Sequence, residues 1–216
     1  MASPYTSDVD AYLLFEDIDA EKKRELKMKE MSETDALTGI LNRATFAAQV
    51  DLTLHNAKPG SCYALLMLDV DGFKLVNDVF GHAAGDQSLV EIAGALRSVT
   101  RHDDLVARLG GDEFVLFLSD VPDHQAAAMK AKQICRLVRR SFGADVRISG
   151  SVGIAIAPID GMDFHALYQK ADAALYHVKG SGKDGFSFYE GDMALESSEP
   201  DRATEATKET EKGLSV

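Results

Sequence analysis

Three strand-like segments, two of them uninterrupted apolar runs, limit the folds open to this chain. They cover residues 63–68, 114–118 and 148–157, and each has the length and composition of a buried β-strand. In the segments between and after them, apolar residues recur at helical spacing, over residues 89–99 and 126–138. Strands and helices of this kind, in mixed order, predict a sheet that is covered by helices.

The connections between these segments favour antiparallel pairing. Residues 105–108 form a short strand-like piece, and Gly110 and Gly111 separate it from the run at 114–118, which is typical of a β-hairpin. A further helix is expected after Asp163 as N-cap, and residues 186–189 as a last edge strand. We therefore expect an α+β fold with a central, mostly antiparallel sheet of about five strands, and not a doubly wound nucleotide-binding fold.

Composition excludes several classes of protein. Hydrophobic residues make up 45% of the 216, enough for a sizeable core. No apolar run approaches the roughly 20 residues that span a membrane, and the first residues do not resemble a secretory signal. Cys62 and Cys135 lie in apolar stretches and are expected to be reduced core thiols. These features predict a cytoplasmic protein with no membrane segment and no structural zinc.

The acidic charge is concentrated at the two ends. Residues 1–34 carry nine acidic and five basic side chains, and residues 190–216 carry eight and three. Only −3 of the net charge of −12 therefore belongs to residues 35–189. This balance disfavours general nucleic-acid binding, since such proteins present clustered basic residues.

The chain divides into three parts. Residues 1–31 are predicted to be a helical stalk or linker, with a charged helix over residues 8–31, and residues 32–190 the folded domain. Residues 191–216 are polar, acidic and without periodicity, which predicts a disordered tail. The first helix either couples the domain to an upstream partner or to a second copy, or is a solvated terminal helix, and the sequence leaves both open.

Carboxylates stand at two chemically informative places. Asp112 and Glu113 follow the glycines of the hairpin, and Asp69 ends the first buried strand. If the strands at 63–69 and 113–118 are neighbours, Asp69 and Asp112 meet at one end of the sheet. Oxygen ligands of this kind suit Mg²⁺, which keeps positions open for phosphate oxygens. The plainer alternative is a Gly-Gly hairpin with solvated acids.

Six segments together resemble one known family. Gly110-Gly111-Asp112-Glu113-Phe114 resembles the signature of the GGDEF family of diguanylate cyclases, and the resemblance extends over residues 32–190. Similar motifs occur in the order that the family shows, at residues 35–43, 69–78, 81–86, 151–155 and 172–176. An ordered set of motifs is far more specific than a single short one.

The resemblance implies a palm-type, ferredoxin-like cyclase fold and an activity: condensation of two GTP into cyclic di-GMP with release of two pyrophosphates. It implies that Mg²⁺, with Mn²⁺ as an alternative ion, is held by Asp69, Asp112, Glu113 and the carbonyl of Val70. Asp112, Glu113 and Lys74 would form the catalytic set. Glu113 is either a metal ligand or the base that takes the 3′-hydroxyl proton, and the sequence does not separate these roles.

The same resemblance implies the substrate contacts. Asn77 and Asp86 would read guanine, because a carboxylate accepts hydrogen bonds from a donor pair that adenine lacks. The alternative for Asp86 is a helix N-cap. The remaining contacts implied are to phosphate and to the nucleotide pocket, from Lys74, Lys179, Lys183, Phe73, Gly110 and Gly111. Lys183 stands where the family often has Arg, which keeps the charge but loses the bidentate fork.

Regulation and assembly are implied in the same way. Arg101 and Asp104 match the family's inhibitory site for the product cyclic di-GMP, although a surface ion pair is the simpler interpretation. A homodimer is expected for activity, since the product is a two-fold symmetric ring. A sensor or separate regulator is expected upstream. The alternative function is a catalytically weak domain that binds GTP or cyclic di-GMP; a related cyclase with a mixed or adenine product is disfavoured by Asp86.

Overall fold

A mixed seven-stranded sheet is the centre of the computed structural model, which describes residues 33–142, 146–191 and 193. The strand order is β1-β3-β4-β2-β6-β5, and β7 also pairs with β6. The strands are β1 Leu41–Asn42, β2 Tyr63–Asp71, β3 Leu105–Gly110, β4 Glu113–Leu118, β5 Arg140–Phe142, β6 Val146–Ala157 and β7 Phe186–Phe188. The helices are α1 Arg43–His55, α2 Phe73–Phe80, α3 His82–Val99, α4 His124–Val138 and α5 Phe164–Gly180.

The central strand β2 explains why its sequence is apolar throughout. All of its residues are buried, and it pairs antiparallel with β4 on one side and β6 on the other. Because successive side chains point to opposite faces, Leu66 and Leu68 pack in one hydrophobic cluster while Leu65 and Met67 pack in a second. A strand that is covered on both faces shows a continuous apolar run and not an alternating one.

Helices cover the two faces of the sheet unequally. The cluster that contains Leu66 includes buried residues of α2, α3 and α4, such as Val76 and Ile92. The cluster that contains Leu65 includes buried residues of α1 and α5, such as Phe46. The helix α5 comes so close to β6 that a Cβ on Gly153 would lie 2.0 Å from the carbonyl oxygen of Ala171. This close approach fixes the position of α5 along the sheet.

The expected α+β architecture is confirmed, with a correction to the number of strands. The described residues form seven strands and not about five, and two pairings, β1 with β3 and β6 with β7, are parallel. The uncounted strands β1 and β5 have two and three residues, too few for any periodicity to show in the sequence. Asp163 is the N-cap of α5, as expected, and its side chain accepts a hydrogen bond from the backbone N–H of Ala166.

Three expectations concern the chain ends, the membrane and the thiols. The stalk predicted at residues 1–31, and the tail at 191–216 apart from residues 191 and 193, lie outside the described residues. Within the described ranges, none of the helices combines the length and apolar character that crossing a membrane requires. Cys62 and Cys135 are free thiols, partly buried and buried respectively.

Candidate active site

The hairpin β3–β4 and the end of β2 meet at one edge of the sheet. Asp69 lies directly opposite Glu113 in the β2–β4 register, and the backbone N–H of Val70 donates to the carbonyl oxygen of Asp112 at 3.2 Å. Gly110 and Gly111 form the turn with φ values of 146° and 50°, which glycine adopts without a steric penalty. The carboxylates that the sequence places at a strand end and at a hairpin are therefore neighbours in space.

Asp69 and Asp112 form an acidic pair with one cation beside it. Asp69 is 9% exposed, and Nζ of Lys179, in the last turn of α5, donates to its Oδ2 at 2.6 Å. Burial, and next the charge of Asp69, raise the pKa of Asp112 from 3.8 to about 6, although Lys179 acts in the opposite direction. The folded chain therefore concentrates negative charge that a cation would stabilise.

The donor atoms at this edge fit Mg²⁺. Both carboxylates offer hard oxygen ligands, and Mg²⁺ is held in proteins by one or two carboxylates together with substrate phosphates and water. Val70, whose carbonyl is the implied third ligand, lies next to Asp69 on β2, and Glu113 follows Asp112. Among the described residues, no three His, Cys, Asp or Glu side chains already converge as a metal cage. The site accordingly suits an ion that completes its coordination with substrate oxygens.

The proposed base-reading residues, Asn77 and Asp86, lie on α2 and α3, two helices that pack against each other. A Cβ on Gly85 would lie 1.9 Å from Oδ1 of Asn77 and 3.1 Å from the ring of Phe73, so α3 passes directly over these α2 side chains. Asp86 follows Gly85 and is exposed. The helix α3 begins at His82 with Gly81 as its N-cap, so the interpretation of Asp86 as an N-cap is wrong. Its carboxylate remains accessible from solvent.

The three lysines differ in their surroundings. Lys179 is bound to Asp69, whereas Lys74, in the first turn of α2, and Lys183, in the loop after α5, are exposed. Lys183 has a φ of 63°, an unusual value for a residue with a side chain. Lys74 lies on the helix that follows β2, Lys179 at the end of α5, and Lys183 in the loop after α5. All three segments adjoin the edge of the sheet where Asp69 lies.

Arg101 and Asp104 occupy a turn before β3. The carboxylate of Asp104 accepts from the backbone N–H of Arg101 at 2.8 Å and from that of Ser119 at 3.1 Å. Within the described chain, the two side chains form no ion pair with each other, and the contacts of the Asp104 carboxylate are with backbone N–H groups. A groove of about 470 Å³ beside this turn is lined by Arg97, Arg101 and His102, among others.

Comparison with known sequences identifies the family. The profile described as "Diguanylate cyclase, GGDEF domain" matches residues 32–185. The chain belongs to the GGDEF family. Its signature, residues 110–114, is the hairpin that faces the end of β2.

Relatives and solved structures resemble this GGDEF domain over most of its length. The bifunctional diguanylate cyclase/cyclic di-GMP phosphodiesterase MucR of Pseudomonas aeruginosa is 40% identical over 74% of this chain and 24% of MucR. The cyclic di-GMP phosphodiesterase PdeR of Escherichia coli is 34% identical over 82% of this chain and 27% of PdeR. The chain thus spans about a quarter of these relatives.

A solved structure shows the same fold. The coiled coil and GGDEF domain of DgcB from Caulobacter crescentus, in complex with c-di-GMP, superposes with a TM-score of 0.71. The two are 27% identical, and the match covers 84% of this chain and all of the DgcB chain.

One contact of the GGDEF hairpin was not predicted from the sequence. The Nε and Nη2 atoms of Arg108 donate to the carbonyl oxygen of Gly111 at 2.9 and 2.7 Å, and Nη1 donates to Asp35 at 3.1 Å. Partial burial alone would raise the pKa of Asp35, but hydrogen bonds from Thr38 and Arg108 outweigh it and lower the pKa. Asp35 stands in the first motif and Arg108 just before the glycines, yet their separation along the chain concealed the contact.

Proposed function

We propose that the chain is a diguanylate cyclase that condenses two GTP into cyclic di-GMP and two pyrophosphates. The observation that carries this proposal is the acidic pair of Asp69 and Asp112 at the GGDEF hairpin, with Lys179 bound to it. The names of relatives support it: MucR is called a diguanylate cyclase as well as a phosphodiesterase. The reaction needs a metal cation and two nucleotides, and the chain has candidate residues for the cation and for one of the nucleotides.

Each group of residues has a separate task in the proposed reaction. Asn77 and Asp86 bind the guanine base, and Phe73 packs beside them under α3. Lys74, Lys179 and Lys183 bind the triphosphate. The ammonium group of Lys179 is paired with the carboxylate of Asp69. If Asp69 held a metal ion instead, this ammonium group would be available to bind a phosphate.

Asp69, Asp112, Glu113 and the Val70 carbonyl would hold Mg²⁺, which polarises phosphoryl oxygens and lowers the pKa of an attacking hydroxyl. The contacts of Arg108 with Gly111 and Asp35 keep the hairpin backbone in place without a metal. Glu113 either completes the ligand set or accepts the proton of the 3′-hydroxyl.

The direct test is incubation of the purified chain with GTP and Mg²⁺, followed by chromatography of the nucleotides. Cyclic di-GMP and pyrophosphate are the expected products, with Mn²⁺ also supporting the reaction. A chain that consumes no GTP at any protein concentration, yet binds it, would point to the second candidate, a nucleotide-binding domain without turnover. The similarity to PdeR, whose name gives only phosphodiesterase activity, favours keeping that candidate.

We propose that two copies of the domain face each other about a two-fold axis during the reaction. Each copy offers one base-binding region and one acidic pair, whereas the symmetric product needs two bound GTP. Specific activity is therefore expected to rise with enzyme concentration in a dilution series. Deleting residues 1–31 should shift this curve to higher concentration if that segment pairs two chains. A flat curve far below the dimer dissociation constant would contradict the model.

We expect Asp86→Ala to weaken guanine selection. Removing the carboxylate leaves the guanine donors without an acceptor, a loss of about 1–3 kcal/mol, so the preference for GTP over ATP should fall by about tenfold or more. Calorimetry of both nucleotides in an Asp112→Asn background measures this without turnover. Asp78→Ala, an exposed carboxylate on α2, is the matched control and should leave the preference intact. Unchanged selection in Asp86→Ala would remove Asp86 from the base site.

We expect cyclic di-GMP to inhibit the enzyme through Arg101 and the groove beside it. Arg101→Ala should keep the initial rate and abolish the slowing that accompanies product accumulation. Progress curves with added cyclic di-GMP measure both quantities. Arg136→Ala, which removes an exposed arginine from α4, controls for the change in surface charge. If the wild-type protein shows no slowing, Arg101 and Asp104 only shape the turn.

A further inference from the structure

Asp71 is a buried carboxylate that the proposed reaction does not use. It is 7% exposed, and its Oδ2 accepts from the hydroxyls of Ser149 and Ser151, each at 2.9 Å. The same oxygen accepts from the backbone N–H of Asp184 at 3.2 Å. Two of these donors belong to the neighbouring strand β6, but the third belongs to the loop after α5. The Asp71 side chain therefore connects the end of β2 to that loop.

The loop that Asp71 contacts has an unusual backbone. The helix α5 ends with the N–H of Lys183 donating to the carbonyl oxygen of Val178 at 3.1 Å, and Gly182 follows the helix with a φ of 112°. Lys183 and Asp184 then take φ values of 63° and 52°. Two consecutive residues with side chains in the left-handed region persist only where surrounding contacts hold them.

Other contacts hold the loop from outside. Arg139, the C-cap of α4, donates to Oδ2 of Asp184 at 2.7 Å, but this pair is largely exposed and exposed pairs contribute little. The N–H of Val152 donates to the carbonyl oxygen of Gly185 at 2.9 Å, one residue further on. The contact with Asp71 is the buried, charge-assisted one, and it acts on the residue next to Lys183.

Asp69 and Asp71 stand on the same face of β2, because they are two residues apart on one strand. Asp69 binds Lys179 directly, and Asp71 binds the backbone that carries Lys183. The face of β2 that carries Asp69 and Asp71 thus positions both Lys179, in the last turn of α5, and Lys183, in the loop that follows it. If the proposed function is right, both cations face the triphosphate of the same GTP.

We propose that Asp71 is a positioning residue for the triphosphate: it fixes the backbone at residues 183–184 and so presents Lys183 to the β- and γ-phosphates. This inference rests on the proposed function, because it needs a bound nucleoside triphosphate. It assigns Asp71 no contact with the substrate. The effect of Asp71 on triphosphate binding therefore requires Lys183, whereas a general loss of stability would weaken binding whether or not Lys183 is present.

The test compares two probes that differ in their phosphates. Binding of GMP, and of 3′-deoxy-GTP with Mg²⁺, which lacks the attacking hydroxyl, is measured by calorimetry. Asp71→Asn keeps the size of the side chain but removes its negative charge, and so weakens the hydrogen bonds that the two serine hydroxyls and the N–H of Asp184 donate to it. The dissociation constant of 3′-deoxy-GTP should rise about tenfold while that of GMP is unchanged. Asp160→Asn is the matched control: Asp160 accepts from the N–H of Ile156, beside the opposite end of β6, and both affinities should stay the same.

A double-mutant cycle separates positioning from stability. Lys183→Ala should weaken 3′-deoxy-GTP binding at least as much as Asp71→Asn does, and adding Asp71→Asn to Lys183→Ala should cost nothing further. Ser149→Ala removes one donor to Asp71, should give a smaller loss of the same kind, and serves if Asp71→Asn fails to fold.

Two results would overturn the inference, and they are distinct from a failure of the proposed function. Equal losses of GMP and triphosphate affinity, or additive effects in the cycle, would show that Asp71 only stabilises the fold. If the wild-type chain binds neither probe, the proposed function is wrong and the inference falls with it.

Discussion

Asp112→Asn is expected to abolish cyclic di-GMP synthesis in a chain that still folds. The substitution removes a charged oxygen ligand at the point where Asp69 and the hairpin meet, and loss of one such group lowers rates by about a thousandfold. Initial rates at saturating Mg²⁺ measure the effect, and circular dichroism checks the fold. A folded variant with a near-normal rate would contradict the assignment of Asp112 as a metal ligand.

The same substitution should stabilise the metal-free chain. Since the pKa of Asp112 is raised to about 6 in the folded state, its ionised form destabilises the fold above that pH, and the penalty fades as the pH falls toward 3.8. Asp112 is only partly buried, so the gain at pH 8 is put at about 1–2 kcal/mol, with less at pH 5. Urea unfolding without metal at both values tests this, with Asp78→Asn as an exposed control.

Gly153→Ala is expected to be the most damaging single-methyl change in the described core. The new Cβ would lie 2.0 Å from the carbonyl oxygen of Ala171 and 2.4 Å from the backbone nitrogen of Leu175. Both atoms belong to the backbone of α5, which cannot move without leaving the sheet. We expect a loss of about 3 kcal/mol in the free energy of unfolding, at the upper end of overpacking effects.

Gly94→Ala provides the matched control for this prediction. Gly94 is an exposed residue within α3, and a Cβ there meets no atom within 4 Å. Alanine should therefore raise the free energy of unfolding by about 0.5–1 kcal/mol through helix propensity. Equal midpoints for the wild type and Gly153→Ala in urea would mean that α5 packs less tightly than the structure shows.

The parts of the fold that the sequence predicted are those with strong periodicity. The segments at 63–68, 114–118 and 148–157 became β2, β4 and β6, since strands buried on both faces are rich in apolar residues. The helix α1 was not predicted. It buries Phe46, Val50 and Leu54 but leaves Leu52 62% exposed, so its apolar residues do not form a single clear stripe.

The sequence showed helical spacing over residues 89–99, with Asp86 as a possible N-cap, but the helix α3 begins at His82, four residues before Asp86. Glycine is a common helix boundary, and here Gly81, with a φ of 83°, separates α2 from α3. Gly85 is instead required inside the helix, where any side chain would collide with Asn77. The contact between α2 and α3, and not a preference of the local sequence, therefore decides whether Gly81 or Gly85 marks the helix boundary.

The contacts of the candidate site, like the elements of the fold, include some that the sequence predicted and others that it did not. The sequence predicted that Asp69 and Asp112 meet on the condition that their strands are neighbours, and the pairing of β2 with β4 meets that condition. The pairing of Lys179 with Asp69 joins residues 110 positions apart, and the contact between Asp71 and Asp184 joins residues 113 apart. Such contacts depend on the register of β6 and on where α5 ends, which no local pattern encodes. The roles of the individual site residues stay predictions until the variants are measured.

The edges of the sheet constrain how two copies can associate. On one side the described sheet ends in β1, with two residues, and on the other the outer edge of β6 is covered by β5 and β7, with three residues each. Strands this short offer too few free backbone groups to template a neighbouring chain. Within the described residues, short edge strands of this kind favour contact between two copies through side-chain surfaces over extension of the sheet from one copy into the next. A contact of that type could be weakened or strengthened by degrees without unfolding either copy.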